Sequence, residues 1–140
     1  IQNGKSYASI NLKGHIDRID SYNNTCRIID YKTGLIKDGD LKVADLNDII
    51  SKPKILQLLI YAWLFNHENK IKNQEVSIGI INLRAQNFDF KKCVINKQFI
   101  INKSLLSNLE QILEQIFLEM FNANQDFEHS IIDGKCRFCD

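Results

Sequence analysis

Apolar residues recur along the chain with two periods, and each period marks elements of a different kind. Between residues 6 and 20, Ala8, Ile10 and Leu12 alternate with Ser9, Asn11 and Lys13. That is the half-buried pattern of a strand, either one long strand or two joined at Gly14. In this register Gly14 and Ile16 continue the apolar side and Asp17 falls on the other. A bend or bulge at Gly14 would change its face, and both arrangements stay open. Residues 26 to 33 form the next strand, separated from the first by a turn at Tyr22-Asn23-Asn24-Thr25. Asn3-Gly4 suits a hairpin turn whose partner strand would lie mostly upstream. Gly34 to Lys52 reads as a connection, with a turn at Asp38-Gly39-Asp40 and one or two helical turns over Ala44 to Ile50.

Pro53 marks a helix start, and Lys54 to His67 is apolar nearly all round, so more than one side should be covered. Val76 to Leu83 is apolar on much of both faces, as in an interior strand. A strand, a helix and a strand in this order predict a right-handed parallel crossover. Phe88 to Ile95 predicts a further strand, at an edge, carrying Lys91 and Lys92. Asn102 or Ser104 caps a last helix, with Leu105, Leu109, Ile112, Leu113, Ile116, Phe117 and Met120 as its buried stripe. Glu110, Glu114 and Glu119 are its solvated side. The expected class is α/β, a mixed β-sheet that opens as an antiparallel meander, with a helix packed on each side.

Composition narrows the class. The 140 residues suffice for one domain over residues 1–140. The chain begins with Ile, so it reads as excised from a longer one. No apolar run reaches the ~18 residues of a membrane span, and no signal peptide opens the chain. A formal net charge of +1 does not announce nucleic acid, although an acidic site would offset basic contacts in that count. Cys26, Cys93, Cys136 and Cys139 form no secreted disulfide pattern, and a reducing cytoplasm is expected.

The strand over residues 26–33 carries the candidate chemistry. Asp30 and Lys32 project on the face of Ile28, while Arg27, Ile29, Tyr31 and Thr33 take the other. Charge on a largely apolar strand is costly unless paired or metal-bound. A hairpin can bring Asp17 beside Asp30, and two close carboxylates repel unless a cation sits between them. Mg²⁺ takes such oxygen ligands and leaves positions to water and phosphate. Lys32 is then a point charge for the phosphate or the nucleophile. On the buried helix Gln57 and Tyr61 lie four apart, within reach of one point.

Gly14-His15-Ile16-Asp17-Arg18-Ile19-Asp20, then Asp30-Tyr31-Lys32-Thr33-Gly34, then Gln57-Leu58-Leu59-Ile60-Tyr61-Ala62 stand in that order. Together they resemble the PD-(D/E)xK nuclease superfamily, in its RecB/AddB-like branch. The resemblance implies a restriction-endonuclease-like sheet flanked by helices, truncated before its first helix. It implies a Mg²⁺-dependent deoxyribonuclease, an exonuclease foremost, acting in DNA repair or recombination beside a helicase domain or subunit. Asp17, Asp30 and the Tyr31 carbonyl would hold Mg²⁺ or Mn²⁺. Lys32 would orient the water or stabilise the phosphate. Gln57 and Tyr61 would position the metal-bound water or the DNA phosphate. An upstream carboxylate or His, which relatives often use, would lie before Ile1. The rival reading is a non-catalytic DNA-binding or docking module with a nuclease fold, which would not need clustered acids.

Cys136 and Cys139 make a C-x-x-C that is half a metal site. In relatives such cysteines clamp a [4Fe–4S] cluster with others from elsewhere, so a cluster belongs only to a longer parent chain. Cys26 and Cys93 read as buried small apolar residues. His15, His67 and His129 read as structural or exposed, and Arg18 and Asp20 as pairing with neighbours across the sheet. Lys37, Lys42, Lys52 and Lys54 read first as a solvated loop, and second as a phosphate-tracking rim.

Overall fold

A computed structural model describes residues 9–68, 75–124 and 126, with the backbone of residues 2, 3, 6 and 7. Strands β1 (Gln2–Asn3) and β2 (Ser6–Tyr7) pair antiparallel, Gln2 with Tyr7 and Asn3 with Ser6, so the partner strand lies within the chain. The principal sheet contains β3 (Arg18–Tyr22) and β4 (Thr25–Lys32). Asn23 and Asn24 connect them with φ of 50° and 60°. Both residues of the tightest hairpin loop need positive φ, and Asn tolerates it. This turn sets the register Asp20↔Arg27 and Arg18↔Ile29.

From Lys32 the chain runs through two 3₁₀ segments, Asp38–Leu41 and Leu46–Ser51, with β5 (Lys42–Val43) between them. Helix α1 (Pro53–His67) then crosses to β6 (Glu75–Asn82). β6 lies parallel to β4, pairing Ile28 with Ile78 and Asp30 with Ile80, as the strand–helix–strand order predicts. β7 (Phe90–Lys92) pairs antiparallel at the edge, completing the order β3-β4-β6-β7. β8 (Val94–Ile95) pairs in parallel with β5. Asn102 caps α2 (Lys103–Met120) by accepting from the Leu105 N–H at 2.8 Å. No helix among the described residues is long and apolar enough to cross a membrane.

The mixed sheet flanked by helices is present, but the helices are not placed one on each side. Ile28, Ile78 and Ile80 share one core with Leu58 and Leu59 of α1 and Leu105 and Leu109 of α2. Both helices therefore bury their stripes over the same sheet face. Each such aliphatic side chain stabilises the fold by about 1.5–3 kcal/mol. Met120 ends the predicted stripe but is exposed.

Two further expectations are corrected. Residues 9–17 are not a strand. Leu12 and Ile16 pack against the core, and Ile10 and Leu12 line a groove with Trp63, Leu64, Leu113 and Phe117. Side chains of the two helices, not a ladder, satisfy the alternation. The connection from Gly34 to Lys52 is not a solvated loop either, because Ile36, Leu41, Val43, Leu46 and Ile49 are buried in the core. Asp40 accepts from the Lys37 N–H and from Lys54 Nζ, both at 3.1 Å, and Lys52 Nζ donates to the Gly39 carbonyl at 2.8 Å. The Lys37 N–H, then Lys54, hold the Asp40 carboxyl below its usual range. Two of the four lysines thus fasten the connection to α1, while Lys37 and Lys42 are exposed.

Candidate active site at the end of β4

The period of a strand puts Asp30 and Lys32 on the core face at the C-terminal end of β4. Asp30 is only 4% exposed, and its Oδ2 lies 2.8 Å from Lys32 Nζ. The ammonium balances the charge, yet it approaches from a direction that makes no hydrogen bond, so this buried oxygen keeps an unused lone pair. Lys32 Nζ also donates to Gln57 Oε1 at 3.2 Å, and Gln57 Nε2 donates to the Tyr61 hydroxyl at 2.8 Å. The four-residue spacing on α1 aligns amide and phenol, and α1 lays both over the end of β4. Acid, ammonium, amide and phenol thus form one chain of contacts.

Asp17 reaches the same place by another route. It is exposed, at the bend where the chain turns into β3. Its Oδ2 accepts the Tyr31 backbone N–H at 2.8 Å. The last β3 pair on that side is Arg18↔Ile29, so the Asp17 carboxylate stands in for the ladder beyond it. The expected strand position of Asp17 is replaced by this bend, and the acid is tied to the residue next to Asp30.

The sequence motifs did not reveal why residue 14 is glycine. A Cβ there would stand 2.7 Å from Tyr61 Cε1 and 3.0 Å from Cδ1. Gly14 therefore leaves the space in which the Tyr61 ring lies.

Among the described residues no three His, Cys, Asp or Glu side chains gather as a metal site. Two carboxylates and a backbone carbonyl are all-oxygen donors that suit a hard cation, with water and phosphate completing its shell. The unused lone pair on buried Asp30 Oδ2 fits such a cation. A protein-family model, that of the PD-(D/E)XK nuclease superfamily, matches residues 2–140. The chain belongs to this superfamily. Its members are usually nucleases and generally use divalent metals. No curated protein and no solved structure matches the chain.

Around this nuclease-superfamily site the other candidates fall apart spatially. His15 is exposed, and the His67 ring centre lies 4.1 Å from that of Trp63, the two rings tilted by 50°. His129, Cys136 and Cys139 lie outside the described residues. Cys26 and Cys93 are buried and free. Burial pushes both thiols up, Cys93 to about 12, so they remain protonated small apolar groups. Cys93 lies between β7 and β8, not within a strand, and its N–H donates to the Ile78 carbonyl at 2.9 Å.

On the opposite sheet face Asp20 pairs with Arg18 of its own strand at 2.8 Å. Its fuller partner is Arg27, through Nε at 2.6 Å and Nη2 at 2.7 Å. The Arg27 hydrogen bonds are the main cause holding the Asp20 carboxyl below its usual range. Arg27 was not singled out from sequence, although counting outward from Asn23-Asn24 sets it opposite Asp20. Arg18 Nη1 donates to the Tyr31 hydroxyl at 3.3 Å.

Proposed function

We propose that this chain is a metal-dependent deoxyribonuclease domain of the RecB/AddB-like branch, hydrolysing phosphodiester bonds in DNA repair or recombination beside a helicase. Exonuclease action and a cytoplasmic setting are part of this reading. The observation that carries it is the Asp30–Lys32–Gln57–Tyr61 chain, with Asp17 one residue away on the Tyr31 N–H.

Asp30, Asp17 and the Tyr31 carbonyl would hold Mg²⁺ or Mn²⁺. When bound, the cation supplies charge neutralisation and a more acidic water. Lys32 presents its ammonium beside the carboxylate that faces the phosphate and offsets charge that develops there. Gln57 accepts from that ammonium and restricts its swing. Tyr61, which accepts from Gln57, keeps its own O–H free to donate to a water or a phosphate oxygen.

Linear DNA incubated with Mg²⁺ should be degraded, and EDTA or Asp30→Asn should stop it. DNA binding without cleavage by wild type in Mg²⁺ would instead favour the non-catalytic module.

A further inference from the structure

We propose that the sheet face opposite Asp30 carries a second nucleic-acid contact, a pocket between β3, β4, β6 and β7 that takes the base of one unpaired nucleotide. The choice of nucleic acid as ligand rests on the nuclease reading, and the pocket itself rests on the following geometry. Arg27 and Ser77 are register partners on β4 and β6, and both point away from the Ile28 core. With Tyr22, Phe90 and Lys92 they line a pocket of about 260 Å³.

Ser77 is fully buried, and its Oγ has no hydrogen-bond partner. Buried hydroxyls are rarely left so, and the polar edge of a ligand would supply the missing partner. The Arg27 guanidinium stands 5.0 Å from the Tyr22 ring centre and 5.1 Å from that of Phe90. Asp20 fixes its plane through Nε and Nη2 and leaves Nη1 unused among the described residues. Tyr22 is 61% exposed beside the Asn23-Asn24 turn, an aromatic platform open to solvent. Lys92 is exposed and has no ion pair among the described residues.

A ring to stack on, a fixed guanidinium, a buried hydroxyl and a free ammonium suit a flat heteroaromatic carrying an anion. That describes a nucleobase with its phosphate. The volume falls below the range of about 300–1,000 Å³ typical of drug-sized ligand sites. A base reaches the pocket only by leaving its pair and its stack, which selects single-stranded over duplex nucleic acid. Arg27 stands three residues before Asp30 on β4, roughly 10 Å away along the strand at ~3.3 Å per residue. The two sites also open on opposite faces, so only a strand several nucleotides long can touch both.

Fluorescence anisotropy in EDTA, with a labelled oligothymidylate and a duplex of equal length, tests this. Tyr22→Ala should weaken single-strand binding about 10-fold and leave duplex binding unchanged. Lys92→Ala should weaken it as well. Ser77→Ala should weaken it while the melting temperature holds or rises, since an unsatisfied buried hydroxyl is removed. Wild-type affinity in both Tyr22→Ala and Lys92→Ala overturns the pocket. So does equal weakening toward single strand and duplex, which would report general charge attraction. If wild type cleaves no DNA in Mg²⁺ while these binding differences hold, the nuclease reading falls and the pocket stands.

Discussion

Gly14→Ala tests whether the contacts around Lys32 act as one unit. The new methyl would stand 2.7 Å from Tyr61 Cε1 and 3.0 Å from Cδ1. Carbon atoms settle at about 3.5–4.0 Å, so the ring must retreat by roughly 0.8 Å or the 9–17 segment must lift. The Gln57–Tyr61 hydrogen bond is 2.8 Å long. A retreat of that size along the bond carries it to about 3.6 Å, where it no longer holds. Gln57 would then be free to rotate and to release Lys32. Gly14 is exposed and Tyr61 half-buried, so the stability loss should lie at the low end of the ~1–3 kcal/mol seen for overpacking. Misplacing a catalytic group by an ångström costs about 10²-fold in rate. Single-turnover cleavage of linear DNA in Mg²⁺, beside thermal melts, should therefore show a large rate loss with a small melting shift. Tyr61→Phe breaks the same hydrogen bond without a clash. If both act through that bond, the double variant Gly14→Ala/Tyr61→Phe should be little slower than either single one. A wild-type rate in Gly14→Ala refutes the reasoning, and so do losses that multiply in full.

Further outcomes follow from the same geometry. Asp30→Asn should weaken Mn²⁺ binding at least 10-fold, read by calorimetry, and equal affinity would retire Asp30 as a ligand. Lys32→Ala should slow cleavage by about 10²–10³, and Lys32→Arg should rescue it only in part, because a planar fork does not replace a point charge. Asp20 is held below its usual range chiefly by Arg27, so its stabilisation is complete above about pH 4 and is lost as the pH falls through the lowered value. Acid melts of Asp20→Asn should accordingly be flatter with pH than those of wild type. Leu59→Ala, at a fully buried position of α1, should lower unfolding free energy by about 2–5 kcal/mol in urea.

The parts legible in sequence are those whose geometry is local. Asp30 and Lys32 share a face because strands alternate, and Gln57 and Tyr61 align because helices turn in 3.6 residues. The parallel crossover and the Asn102 cap follow from element order and residue type. Asp17 was legible as a neighbour of Asp30 but not as a bend. Its alternating upstream residues pack on α1 and α2 from outside the sheet, and alternation alone does not say what it packs against. The connection from Gly34 to Lys52 hides five buried apolar residues because 3₁₀ turns and a two-residue strand impose no lasting period. Gly14 and Ser77 carry no one-dimensional signal for their contacts, since Tyr61 and Arg27 meet them only after the chain has folded.

Asp30 and Lys32 also join stability to chemistry. By sequence, Lys32 removes no core volume of consequence, and its loss should spare the fold. The structure corrects that expectation, because its ammonium is the counter-charge of a carboxylate that is only 4% exposed. Breaking a buried ion pair costs about 3–5 kcal/mol, and the Lys32 side chain, 30% exposed, places this pair toward the lower end. Lys32→Ala alone therefore confounds a lost transition-state contact with an uncompensated acid. Asp30→Asn/Lys32→Ala removes both charges and should recover most of the lost stability while remaining inactive. Mg²⁺ should raise the melting temperature of Lys32→Ala more than that of wild type, since the cation takes over the counter-charge at Asp30. Equal shifts in the two proteins would mean that the cation does not sit against Asp30 and that the pair is structural alone.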